Sequence, residues 1–232
     1  MLSFIIPAHN EEHYLAPTLA ALRAAVAGIA QPAEIIVVDD ASDDRTAEIA
    51  SRDGARVVRI ARRHIAAARN AGAAAAAGDP LFFIDADTIV TAATLRQALA
   101  ACGAGAIGGG AWVCLDESLG LWRNAFLAIF NLCWFGLCGW AAGCFVFARR
   151  CEFAAVGGFD ERYFAGEEML LSRALRRRGR FVIVRPAVIT SARKAHMFSA
   201  RAMLAQMLRI AWRGPAALQR REDLAFWYKE RT

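Results

Sequence analysis

The sequence predicts an α/β fold, with a mostly parallel sheet sandwiched between helices, and three observations carry that prediction. Short apolar, β-favouring runs alternate with alanine-rich stretches of helical length. The runs "SFIIPA", "EIIVVDD" and "LFFIDAD" are continuously apolar, as buried parallel strands are, where a half-exposed strand would alternate. Aspartates close two of them, Asp39 and Asp40 after one, Asp85 and Asp87 after another. Sheets of this kind bind ligands at the carboxyl ends of their strands.

Taken in order, residues 3–8, 34–40, 55–60 and 81–87 predict strands, and 12–27, 43–52 and 65–77 predict the helices between them. Ser42 is the expected N-cap of the second helix, with Asp43 and Asp44 complementing its dipole, and Gly78 is the expected stop of the third. In an extended segment Asp85 and Asp87 point to one side and repel, which calls for a cation between them or open water around them.

The pattern changes after about residue 110. Residues 125–147 carry no charge and are long enough to cross a bilayer, which takes roughly 20 residues. Asn131, Gly136, Gly139, Gly143 and the punctuating Trp122, Trp134 and Trp140 favour an interfacial or buried helix over 119–140, followed by a strand in "GCFVFARR". Residues 157–166 read as a loop, 167–178 as a helix stopped by Gly179, and 181–189 as a strand. Residues 196–232 mix apolar and basic residues about Gly214–Pro215, as two amphipathic helices would. The expected division is one domain over 1–195 and a basic helical extension over 196–232.

Charge is uneven. Residues 1–148 hold 10 basic against 14 acidic side chains, and 149–232 hold 18 against 8. Such asymmetry points to a polyanionic surface. With no nucleic-acid-binding motif in the chain, anionic lipid is the expected partner. The six cysteines lack CxxC or metal-ligand spacing, which fits a reduced, cytoplasmic compartment, and no signal peptide is read at the N-terminus.

Five stretches in order, "IIPAHNEE", "IIVVDDASDDRT", "ARNAGAAAAAGD", "FIDADT" and "GGFDERYFAGEEMLLSRALRRRG", resemble the family 2 nucleotide-sugar glycosyltransferases, which have the GT-A fold. The resemblance covers about residues 2–195. It implies that Pro7, Ala8, His9 and Glu11 line the nucleotide, that Asp40 accepts from a base N–H, most often of uracil, and that Arg69 is a further nucleotide contact. It implies that Asp85-Ala86-Asp87 is the metal-binding motif beside the donor, with Mn²⁺ or Mg²⁺ bridging the diphosphate, and that His196 is a third metal ligand. Glu167 and Glu168 match the family's acidic pair, whose second member is usually aspartate. Periodicity does not choose between them as the base; the resemblance favours Glu168, which the helix N-terminus is expected to keep ionised.

The implied activity is an inverting, metal-dependent transfer from a nucleoside diphosphate sugar, UDP first. The acceptor is a glycan, a lipid-linked molecule or a small molecule, and the enzyme sits peripherally on the inner membrane face. An inactive glycosyltransferase-like scaffold is the alternative from another class. A nucleotidyltransferase fits less well, because "PAHNEE" is acidic where a glycine-rich basic loop is wanted.

Overall fold

Four parallel strands form the first half of the sheet: β1 (Leu2–Ala8), β2 (Ala33–Asp40), β3 (Arg56–Ile60) and β4 (Leu81–Ile84), in the order β3-β2-β1-β4. The structure is a computed structural model that describes residues 1–118, 128–129, 131–193 and 218–219. Every residue of β1 and β4 is buried, so the period of two sorts their side chains into two cores rather than into core and solvent. Phe4, Ile6, Phe82 and Ile84 pack with Leu15, Leu19 and Leu22 of α1 (Leu15–Ala27) and Leu95 of α4 (Ala92–Gly103). Ile5, Val38 and Phe83 pack on the other face with Ala66 and Ala68 of α3 (Ile65–Ala75) and Leu171 and Leu175 of α6 (Glu167–Arg176). Each such large apolar side chain contributes about 1.5–3 kcal/mol by leaving water. Helix α3 lies close because its Gly72 has no Cβ, which would stand 2.3 Å from Ile5 Cγ2.

The second half continues as β4-β7-β6-β8-β5, with β5 (Thr88–Ile89), β6 (Gly108–Leu115), β7 (Phe145–Ala148) and β8 (Phe181–Thr190). Strand β7 runs antiparallel to both β4 and β6, and β6 is parallel to β8. The eight strands curl between helices, completed by α2 (Thr46–Arg52) and α5 (Arg150–Ala155).

Several elements differ from expectation. Helix α2 starts at Thr46, because Asp44 Oδ1 accepts its N–H at 2.8 Å; Ser42 instead accepts from the Asn10 amide. Helix α3 ends at Ala75, before Gly78, whose N–H donates to Ser3 Oγ and Glu34. Strand β4 ends at Ile84, and the Thr88 N–H turns back to the Asp85 carbonyl at 3.1 Å. Asp85 and Asp87 therefore lie in a turn, not along one side of a strand. Helix α4 and strand β6 occupy a stretch where the sequence predicts no element. Three glycines hide β6, and they are required there: a Cβ on Gly109 would fall 2.0 Å from the Val182 carbonyl oxygen.

In the uncharged 125–147 stretch, a π-helical turn over Leu132–Leu137 precedes β7. Among the described residues no helix is long and apolar enough to cross a membrane. The expected elements at 119–127 and in the tail, with the boundary at 195, lie outside the described residues. All six cysteines are free thiols.

Candidate active site

The loops after β1 and β2 are stitched together at the carboxyl ends of those strands. His9 Nδ1 lies 2.8 Å from the Asp40 carbonyl, which can only accept, so Nδ1 carries the proton. The Asn10 amide donates to Ser42 Oγ and the Glu11 amide to Thr46 Oγ1. Asp40 is buried, and its carboxylate accepts three loop amides: Arg62 at 2.7 Å, Arg63 at 2.8 Å and His64 at 2.7 Å. It fixes the loop leading into α3, a structural duty the sequence does not reveal. His64 then caps α3 through Nδ1, which accepts from the Ala67 amide. Pro7 and Ala8 are buried within β1, and Ala86 is buried with its carbonyl accepting from Thr18 Oγ1.

The two aspartates of the "DAD" turn part company. Asp85 Oδ1 meets Arg69 Nη2 at 2.8 Å, while Asp87 Oδ2 meets Arg193 Nη2 at 2.8 Å. Each arginine also holds a glutamate. Arg69 Nη1 reaches Glu167 Oε1 at 2.5 Å, and Arg193 grips Glu11 with two bonds of 2.7 and 2.9 Å. Each aspartate of the turn is thus ion-paired to its own arginine. Arg193 has no predicted role in the sequence; its partner Glu11 lies 182 positions away.

Arg69 lies beneath the site at 1% exposure, in contact with the Phe159 ring at 5.1 Å and donating to the Gly143 carbonyl at 2.9 Å. A Cβ on Gly143 would stand 2.8 Å from the guanidinium, so glycine there makes room for it. From there Arg69 orders Asp85 and Glu167. Glu167 is buried, and its Oε2 has no hydrogen-bond partner among the described residues.

Glu168 follows on the first turn of α6, after Gly166 in the left-handed region. Its pKa is pushed up to about 8, by burial first and by the Glu167 charge next, against the pull of Arg69. The expectation of a carboxylate kept ionised by the helix N-terminus is thus corrected. Removal from water and a like charge outweigh a dipole worth about 0.3–1 kcal/mol in exposed settings.

Among the described residues, five carboxyl groups, on Glu11, Asp85, Asp87, Glu167 and Glu168, face two arginines. The excess of negative charge and the all-oxygen donors suit a hard divalent cation, which commonly takes one or two carboxylates and completes its shell with water and substrate phosphates. No group of three or more His, Cys, Asp or Glu that could hold a metal occurs among the described residues, and His196 lies outside them.

The model of the family described as glycosyl transferase family 2 matches residues 3–150. The undecaprenyl-phosphate 4-deoxy-4-formamido-L-arabinose transferase of Pseudomonas paraeruginosa is 39% identical over 94 residues, 38% of this chain and 28% of that protein. Among solved structures, the mannosyltransferase PcManGT of Pyrobaculum calidifontis, in complex with GDP-Man and Mn²⁺, aligns at a TM-score of 0.68 and 18% identity, over 94% of this chain and 62% of its own. S. aureus TarS 1–349 in complex with UDP-GlcNAc aligns at 0.64 and 19% identity, over 82% and 58%. At these identities the structural likeness shows the fold alone, and the chain spans under two thirds of all three relatives.

Proposed function

Because this chain belongs to glycosyl transferase family 2, we propose that it transfers a sugar from a nucleoside diphosphate, UDP first, to an acceptor hydroxyl with inversion at the anomeric carbon. The observation that carries this reading is the joining of the "DAD" turn to the α6 acidic pair through one buried arginine, Arg69. In this reading the donor-side and acceptor-side carboxylates share one frame.

In this reading Glu168 accepts the proton of the acceptor hydroxyl as its oxygen bonds to the anomeric carbon. The bond from that carbon to the diphosphate oxygen breaks, and the nucleoside diphosphate leaves with the electron pair. Asp85 and Asp87, with His196, would hold Mn²⁺ or Mg²⁺, which when bound neutralises charge developing on the leaving diphosphate. Pro7, Ala8, His9, Glu11, Asp40 and Ala86 would line the nucleotide, and Arg69 would act through Asp85.

PcManGT binds GDP-Man with Mn²⁺ and TarS binds UDP-GlcNAc, which supports a nucleotide sugar and a metal here and leaves the base open. The undecaprenyl-phosphate transferase supports a lipid-linked acceptor, beside glycan and small-molecule alternatives, and a place at the cytoplasmic membrane face is part of the same proposal. A thermal-shift panel of UDP-, GDP- and TDP-sugars with and without Mn²⁺ tests the proposal. A cation-dependent upward shift with one donor class, together with slow donor hydrolysis, is the expected result. An inert chain that shifts with no donor would indicate a scaffold.

A further inference from the structure

We propose that the π-helical turn Leu132–Leu137 and the arginine-rich end of α6 form one docking surface for an anionic phospholipid bilayer. The lipid-side acceptor in the function proposed above gives this surface its purpose, while its geometry stands separately.

The turn has an anchored face and an open one. Asn131 is buried and donates from Nδ2 to the Val113 carbonyl at 2.9 Å. Phe135, also buried, sets its ring 5.7 Å from Trp112. These two side chains, one helical turn apart, pin the segment to β6. Their neighbours face outward: Leu132 is 56% exposed and Leu137 77%, with Ile129 just before them at 62%. Only Met1 and Ile189 are otherwise exposed large hydrophobics among the described residues, so three of five gather on this patch. Singly exposed apolar residues are ordinary, but a cluster at one turn marks a contact surface.

Beside it, Trp134 and Trp140 stack edge to face at 5.0 Å, both partly exposed, and Trp134 Nε1 donates to the Ala141 carbonyl. An indole with one apolar and one polar side suits the headgroup level of a membrane.

Charge names the occupant. Arg176 of α6 donates to the Cys138 carbonyl, which brings the end of that helix against the turn. Arg173, Arg176 and Arg177 are exposed there, and none is within ion-pair distance of a carboxylate among the described residues. Aliphatic side chains collared by guanidinium groups complement an anionic lipid surface. A second copy of the chain fits poorly, because a two-fold interface would set one arginine collar against the other. The patch also leads into the site. Gly143, whose carbonyl binds Arg69, lies six residues after Leu137, a reach of at most about 20 Å in extended chain.

The test is flotation of the full chain with vesicles of phosphatidylcholine alone and of phosphatidylcholine mixed with phosphatidylglycerol. Wild type should float with the mixed vesicles only. The Leu132→Asp, Leu137→Asp double variant should lose about tenfold or more of that partitioning. Arg173→Gln, Arg176→Gln, Arg177→Gln should lose binding at low salt and respond less to added salt than wild type. Leu137→Ser alone, at the most exposed position, serves should the double variant fold poorly, and donor-induced thermal shift reports the fold of each. Flotation of a folded apolar variant at the wild-type level, wild type that ignores anionic vesicles, or a wild-type dimer made monomeric by the leucine changes would each overturn the proposal. Loss of the donor shift in wild type would instead sink the transferase reading and leave flotation standing.

Discussion

Arg69 and Arg193 each tie an aspartate of one turn to a glutamate, yet the two clusters are built differently. Arg69 comes from the middle of α3, is 1% exposed, and donates to Asp85, Glu167 and the Gly143 carbonyl. Arg193 follows β8, is 13% exposed, and rests over the Tyr14 ring at 4.5 Å. The first cluster is walled in by two helices and a strand end, so its arginine is part of the frame. The second holds Glu11 and Asp87 through an arginine nearer the surface. One arginine is enclosed by the fold, and the other lies within reach of water.

Breaking the frame should have the largest effect. Arg69→Met leaves Glu167 buried without its cation, and stability should fall by about 3–5 kcal/mol, the usual cost of breaking a buried pair. Urea unfolding measures this, and a loss below about 1 kcal/mol would mean that the cluster is more hydrated than its burial implies.

Next comes the carboxylate beside the frame. Glu168→Gln should lower turnover by a factor on the order of 10²–10⁴, with donor affinity nearly unchanged. Glu167→Gln should be milder and act on positioning; the reverse ranking would move the base to Glu167. The raised pKa of Glu168 gives a further signature. Its pKa rises from 4.5 to about 8 on folding, so between those values the folded chain binds more protons than the unfolded one. Its contribution to stability is therefore largest below about 4.5 and is lost as pH rises through about 8. Activity should run the opposite way, because only the deprotonated form accepts the acceptor's proton. Thermal melts and turnover across pH should slope in opposite directions, and Glu168→Gln should flatten the first.

Arg193→Met tests the second cluster and is the smallest change. Stability should fall by about 1.5–3 kcal/mol, the range for a hydrogen bond to a charged group, and donor-free Mn²⁺ affinity, read by electron paramagnetic resonance, should rise because Asp87 loses a competing cation. A fall in Mn²⁺ affinity would make Arg193 part of the metal site's support.

The sequence made some of this legible and hid the rest for identifiable reasons. Continuous apolar runs located β1, β2 and β4, because a strand buried on both faces has no other composition. Strand β6 escaped because Gly108–Gly110 erase β propensity at the place where β7 and β8 leave no room for side chains. Asp85 and Asp87 were legible as a pair. Their separation was not, since it depends on one hydrogen bond that ends β4 at Ile84. Arg193 was invisible because nothing local distinguishes an arginine that will fold onto Glu11 and Asp87 from one left in water.

The three amides closing on Asp40 give the loop before α3 an uncommon kind of solidity. A loop held by its main chain depends little on the side chains it displays, so the exposed Arg62 can be altered without dissolving its shape. The same amides, though they belong to no helix or strand, should exchange their hydrogens with deuterium as slowly as those of the sheet, leaving a protected island at the mouth of the crevice.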